Sequence, residues 1–309
     1  MRAVSWTPDR RFVLLAAALT LAGCAPDRPV TPADTPHTPS GSGPDAPLPR
    51  EFPLDEASQP VTVPARALAS DPKPAPQTLP TREGVSRAFD GQAPKYWGLE
   101  APGVLTRMPA TSAGVSLTFD FCGGPDGNGA DAALVAVLRQ QQVPATLFLN
   151  ARWIAANKGL AKDLAADPLF ELANHGTSHR PLSVSGKTAY GIQGTRSPGE
   201  VYDEVIANDS VLTDLTGRRP RFFRPGTAYM DEVSSLIVRT MGLIPVGFSI
   251  NGDAGATLPA QKVTNEISRA RANDIVIAHG NHPAGGTAQG LTRALAIMKT
   301  RGEAFLPLP

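Results

Sequence analysis

The sequence predicts an α/β fold in which a mainly parallel sheet closes into a barrel, and three observations carry the prediction. From about Glu83 onward, short apolar runs alternate with amphipathic stretches, the pattern of repeated strand-helix units. Polar residues recur just where those runs end, at Asp120, Asn174/His175, Arg224, Asp253 and His279. Barrel active sites are built at the C-terminal ends of strands, so this placement favours a barrel over the competing arrangement, a lone doubly wound sheet. Finally, 309 residues of which 41% are hydrophobic suffice to bury one large core or two small ones.

Taken in order, the chain opens with Arg2, Arg10 and Arg11 ahead of an apolar run from Phe12 to Ala22 that is too short to span a bilayer. Residues 1–23 therefore read as a signal peptide. The run ends in Leu21-Ala22-Gly23-Cys24, which resembles a bacterial lipobox, and Cys24 would then be diacylated and become the mature N-terminus. An ordinary signal peptide is the alternative. The expectation is an exported protein, lipid-anchored to the cell membrane and facing the extracytoplasmic side. With Cys24 acylated, Cys122 is the remaining thiol of two, so no intramolecular disulfide is expected.

Residues 24–82 are dominated by Pro, Ala, Thr, Asp and Ser, with almost no periodic apolar pattern to offset the entropy of ordering. They read as a tether, spanning about 40 Å as a flexible coil or about 170 Å if wholly polyproline-like. Residues 83–309 form the expected folded domain. Its strand candidates are Val115 to Phe121, Ala145 to Asn150, Phe170 to Ala173, Arg221 to Arg224, Leu243 to Ile250, Asp274 to His279 and Ala304 to Leu308. Between them, Asp131 to Gln142 places Leu134, Val135 and Leu138 on one helical face. Ser197-Pro198-Gly199-Glu200 is a capping box with Pro at the first helical position, opening a helix that Gly217 stops.

A formal net charge of +1, with no Lys/Arg run, leaves no footprint for nucleic acid. Membrane contact is expected through the N-terminal lipid alone. Of five histidines, one, His37, lies in the Pro-rich stretch, and the others form two short segments, His175/His179 and His279/His282. Two imidazoles at this spacing can converge on one metal ion, the alternative being two hydrogen-bonded structural histidines. A zincin protease is excluded, because Gly176 stands where that chemistry places its general-base Glu.

Thr118-Phe119-Asp120, the His175 to His179 motif, Arg224-Pro225-Gly226, Asp253 and Ile275-Val276-Ile277-Ala278-His279 follow one another in an order that resembles the polysaccharide deacetylase family (NodB-homology domain, carbohydrate esterase 4). The resemblance covers about Ser112 to the C-terminus. It implies a distorted (β/α)7 barrel, a divalent metal, most often zinc, and hydrolysis of an N-acetyl group on a glycan. By the same resemblance His175 and His179 hold the metal and Asp120 is the general base. Arg224 would keep Asp120 ionised and oriented through a two-point guanidinium contact. His279 would protonate the leaving amine, with Asp253 holding that imidazole protonated. Backbone amides near Gly226 and Thr227 would face the oxyanion.

The family's Thr-Phe-Asp-Asp-Gly reads Thr118-Phe119-Asp120-Phe121-Cys122-Gly123-Gly124 here, so the carboxylate that serves the family as third metal ligand is missing. Asp131 is the candidate substitute, with Asp126 behind it, because the intervening glycines would let the chain fold back. Asp131 reads equally as the N-cap of the next helix, and a Cys122 thiolate is a further alternative. No Trp follows Asp253, so the substrate wall is built differently. Trp97, Trp153 and Tyr229 are aromatic candidates for it, and His282 reads as a substrate contact or a solvated loop residue.

The resulting expectation is a metal-dependent hydrolase that removes N-acetyl groups from amino sugars of a cell-envelope or extracellular polysaccharide. Hydrolysis of another non-peptide carbon–nitrogen bond is the alternative within enzymes. A catalytically silent glycan-binding lipoprotein is the alternative outside them, and the joint presence of base, imidazoles, Arg and acid argues against it.

Overall fold

The computed structural model describes residues 79–309. The signal peptide, Cys24 and most of the tether lie outside those residues. The folded chain starts slightly ahead of the expected boundary, with helix α1 (Arg82–Phe89). Thr81 caps it by accepting the Gly84 amide at 3.0 Å, and its buried Val85 and Phe89 pack toward the long helix that opens at Pro198.

The main sheet consists of β1 (Gly114–Phe121), β2 (Ala145–Leu149), β3 (Phe170–Asn174), β4 (Phe222–Phe223), β5 (Ile244–Pro245), β6 (Ile250–Asn251), β7 (Ile275–His279) and β8 (Ala304–Phe305). Its order is β6-β7-β1-β2-β3-β4-β5, all parallel, with β8 beside the start of β1. The helices between are α2 (Ala132–Gln141), α3 (Ala151–Ala156), α4 (Lys158–Ala166), α5 (Pro198–Thr216), α6 (Glu232–Thr240), α7 (Ala260–Ser268) and α8 (Thr287–Thr300). Helix α5 keeps its expected bounds: Ser197 accepts the Glu200 amide, Pro198 opens the first turn and Gly217 ends it at φ +73°.

One expected strand divides in two. The run Leu243 to Ile250 changes partners midway: Val246 donates to Phe223 at 2.8 Å and Gly247 to Leu105 at 2.9 Å, whereas Ser249 donates to Ile275 at 2.9 Å. The sheet therefore begins and ends on two halves of one run, which bring the first and last strands of the path together as a distorted barrel. Gly247 suits the crossing, since a Cβ there would come within 3.1 Å of Thr106 and Val104.

Strand alternation divides the residues between two faces. Leu117, Phe119, Phe121, Leu147 and Leu149 belong to the large apolar cluster that includes Leu134 and Leu138 of α2 and Leu291 and Leu295 of α8. Phe148 faces the other way, in a smaller cluster with Ala173, Phe222, Val246, Ile275 and Leu308. Thr118 and Asp120 alternate onto that same inner face, so Asp120 emerges above an apolar plug at the C-terminal end of β1.

Candidate metal and catalytic site

Sheet register brings the site together. Asp120 lies opposite His279 on one neighbouring strand and opposite Phe148 on the other, while Asn174, the residue before His175, lies opposite Phe223. Asp120 is 2% exposed and Arg224 fully buried. Arg224 donates through Nη1 to Asp120 Oδ1 at 2.7 Å, through Nη2 to the Gly247 carbonyl at 2.7 Å and through Nε to the Val246 carbonyl at 3.3 Å. The guanidinium also lies 4.2 Å from the centre of the Phe148 ring. Contact with Asp120 is thus through one nitrogen, not the two-point fork expected, because the other nitrogens hold the seam between β5 and β6. Burial alone would raise the Asp120 pKa, but the charge of Arg224, with His175 and His279 nearby, outweighs it and keeps the carboxylate ionised.

The histidine motif is a loop held from three sides. Asn150 donates to the carbonyls of His175 and Gly176 at 2.9 and 2.8 Å. Glu204 of α5, 4% exposed, accepts the Ser178 amide at 2.9 Å and the Arg180 amide at 3.2 Å. Gly176 has φ +76°, and a Cβ there would stand 2.5 Å from Glu204 Oε1. His179 itself has φ +62°, and a Cβ on Gly226 would overlap its backbone. Glu204, and Asn208, which donates to Asn174 Oδ1 at 2.9 Å and to the Leu149 carbonyl at 2.8 Å, support the loop without belonging to any motif. Their signal was present: both fall on the stripe Val201, Glu204, Val205, Asn208, Leu212 that α5 buries, where a polar residue must answer a buried polar group.

His175 Nδ1 lies 2.8 Å from the Arg224 carbonyl, an acceptor, so that nitrogen carries the proton and Nε2 offers its lone pair. Nε2 stands 3.8 Å from Cys122 Sγ and 3.6 Å from Asp120 Oδ2. One donor atom each from Cys122, His175 and His179 lie within 4.8 Å of one another. Burial opposes ionisation of the thiol, but His175, with His179 and His279 beside it, overcomes this and brings its pKa well below the ordinary value. A thiolate with two imidazoles, one of them fixed in its tautomer by a backbone carbonyl, is a donor set that suits zinc. These residues therefore fit the expected divalent ion.

Asp131 does not join them. Its carboxylate caps α2, with Oδ1 accepting the Leu134 amide at 3.0 Å, and it is Cys122 that stands beside the two histidines. The cause is strand alternation. Phe121 occupies the position of the missing carboxylate, but its ring points outward against Trp153 at 4.6 Å between centroids. The next side chain, Cys122, turns back to the histidines. Asp126 lines the same cavity but stands outside the ligand group.

His279 and Asp253 meet as expected. His279 Nδ1 lies 2.8 Å from Asp253 Oδ1, while Oδ2 accepts the His279 amide at 2.7 Å and the Thr287 hydroxyl at 2.9 Å. Burial disfavours charge on both, yet their mutual attraction is stronger: Asp253 is pushed below the usual carboxylate range and His279 well above the usual imidazole range. Nδ1 donates to the carboxylate, and Nε2 is left to face the cavity as a proton donor.

The cavity over these groups measures about 680 Å³ and is lined by Asp120, Cys122, His179 and His279, with Thr227 and His282 in its wall. Of the three expected aromatic wall residues, Trp153 is fully buried and donates to the Gly129 carbonyl, so it is core. Trp97 and Tyr229 pack on each other at 5.8 Å and do not line the cavity. The aromatic side chains that do are Phe248 and Tyr190.

Comparison with known proteins points to one family. The model of the polysaccharide deacetylase family matches residues 108–246, a stretch that contains Asp120, Cys122, His175, His179 and Arg224 and stops before Asp253 and His279. A chitooligosaccharide deacetylase of Bradyrhizobium is 27% identical over 215 residues, covering 63% of this chain and 89% of its own. A peptidoglycan-N-acetylglucosamine deacetylase of Bacillus cereus is 26% identical, with 65% and 69% covered. Among solved structures, a carbohydrate esterase family 4 pseudoenzyme from Bacillus anthracis superposes with a TM-score of 0.55 at 20% identity, over 67% of each chain. That last likeness concerns the fold alone.

Proposed function

We propose that this chain, whose residues 108–246 match the polysaccharide deacetylase family and which is similar to named deacetylases, removes N-acetyl groups from amino sugars of a cell-envelope or extracellular glycan, as a zinc hydrolase whose third protein ligand is Cys122. The observation that carries this reading is the convergence of two separately charged sets, Asp120–Arg224 and Asp253–His279, on one cavity beside Cys122, His175 and His179.

Each set has one task. Cys122, His175 and His179 would hold a divalent ion, which would supply Lewis acidity toward the acetyl carbonyl and the attacking water. Asp120, kept anionic by Arg224, accepts the proton that water loses as its oxygen bonds to the carbonyl carbon. His279 delivers a proton from Nε2 to the amide nitrogen as the carbon–nitrogen bond breaks, so the sugar leaves as an amine and the acetyl group as acetate. Asp253 keeps that imidazole charged until then. A glycan-binding protein without turnover has no use for an acid and a base held in opposite protonation states.

Cys24, with the signal ahead of it, motivates a second part of the reading: a lipid-anchored enzyme on the extracytoplasmic side, whose Pro-rich stretch sets its reach. Acetate release from N-acetylglucosamine oligomers and from purified peptidoglycan tests the activity. Loss of release in both Asp120→Asn and His279→Ala supports it. Turnover surviving either substitution contradicts the assigned roles.

A further inference from the structure

Outside the reacting groups, one exposed element combines strain, rigidity and an apolar face directed into the cavity. The chain between the histidine motif and α5 forms a small antiparallel hairpin, Thr188–Ala189 paired with Ile192–Gln193. Its turn is Tyr190-Gly191, with φ +50° and +75°. A glycine is at ease there, but a bulky aromatic is not, and such strain persists only where the surroundings hold it. Tyr190 is nevertheless 73% exposed, and Ile192, 37% exposed, lies beside it. Both line the cavity that contains Asp120 and His279.

The hairpin is tied to the site. Arg180, the residue after His179, donates to the carbonyls of Gln193 and Gly194 and pairs with Glu200 at 3.0 Å. Gln193 donates back to the Gly186 carbonyl, and Gly194 meets Lys187 too closely for any Cβ. The Tyr190 ring stands edge-on to Tyr229 at 5.4 Å, and Tyr229 in turn packs on Trp97 at 5.8 Å. The result is a braced aromatic face at the cavity rim, not a mobile tip. A pyranose ring presents its axial C–H groups on one apolar face and its hydroxyls at the edge, which matches an exposed phenol ring with a polar rim.

We propose that Tyr190, flanked by Ile192, forms a sugar subsite that stacks on a ring of the glycan neighbouring the one being deacetylated, so that the enzyme selects oligomers over single sugars. The proposal rests on the glycan reading above and adds to it the residue that senses chain length.

The test is calorimetric binding of an N-acetylglucosamine hexamer to the full chain carrying Asp120→Asn, with Tyr190→Ala and Tyr190→Phe compared in that background. Substituting a rim residue so exposed leaves the buried core in place, and thermal melts verify it. The expected result is at least a tenfold loss of hexamer affinity in Tyr190→Ala and less than a twofold change in Tyr190→Phe. Equal affinity in all three proteins, or no hexamer binding at all, overturns the subsite. Acetate release by the unsubstituted enzyme is read separately, so a failed deacetylase assignment and a failed subsite give different results.

Discussion

Asp253→Asn is nearly isosteric, and the structure dictates how the new amide must sit. Oδ2 of Asp253 accepts two donors, the His279 amide and the Thr287 hydroxyl, so the asparagine oxygen must take that place. Its NH2 group then faces His279 Nδ1, which can only accept. The ring is left neutral, with its one proton on Nε2. In the parent, Asp253 lifts the His279 pKa well above its ordinary value. With the carboxylate gone, the pKa falls back toward the ordinary imidazole range, and at pH 8 most of the rings are neutral. The lost proton therefore predicts a fall in kcat/KM at pH 8 within the roughly 10²–10⁴-fold range typical of general acids. The assay is kcat/KM for acetate release between pH 5 and 9. The basic limb should move to lower pH in the variant, and an unmoved limb refutes the role given to the pair.

Stability follows the same linkage, with signs fixed by the two shifts. His279, raised on folding, adds stability that is complete below its unfolded pKa of about 6.5 and fades as pH climbs through the folded value. Asp253, lowered on folding, adds stability that is complete above about 3.9 and fades as pH falls through its folded value. The difference in Tm between parent and variant is therefore widest between about pH 4 and 6.5 and narrows in either direction.

Cys122→Ser should weaken zinc binding by more than about 100-fold, beyond the effect of losing a partner that only orients a ligand, whereas Cys122→Asp should retain metal, both read by competition with a chromogenic chelator. Asp131→Ala removes a helix cap and costs about 1 kcal/mol, or about 2–4 °C in Tm, with metal content unchanged; loss of metal there would restore Asp131 as a ligand. Glu204→Ala leaves the amides of Ser178 and Arg180 unanswered in a buried loop, at about 1–3 kcal/mol for each amide. Thermal melting and zinc titration should therefore fall together, and an unchanged zinc affinity would show that the loop holds its shape without the carboxylate.

Strand positions and the placement of the candidate site groups were legible because each depends on local pattern: an apolar run, then a polar residue at its end. Asp120, His175, Arg224 and His279 sit at such ends, and the barrel collects them whatever the loops do. The bounds of α5 were legible for a related reason, since Ser197, Pro198 and Gly217 act within one turn of the ends they define. What failed depended on direction or on distant partners. Phe121 and Cys122 are adjacent, and only the pleat decides which one faces the histidines. The run from Leu243 to Ile250 reads as one strand because nothing in its own residues announces that its partners change at Gly247. Trp153 looked available for sugar, but its packing on Phe121 and its bond to Gly129 are long-range facts. Tyr190 lies in a turn whose importance comes from Tyr229 and Arg180, residues on other segments.

The most direct test of the central claim is zinc stoichiometry measured together with acetate release from N-acetylglucosamine oligomers, before chelation, after it, and after zinc is restored, in the parent and in Cys122→Ser. About one zinc per chain is expected, with acetate release that chelation abolishes and zinc restores, and a serine variant deficient in both. Acetate release that survives complete removal of metal, or a serine variant that binds zinc and turns over as the parent does, would contradict it.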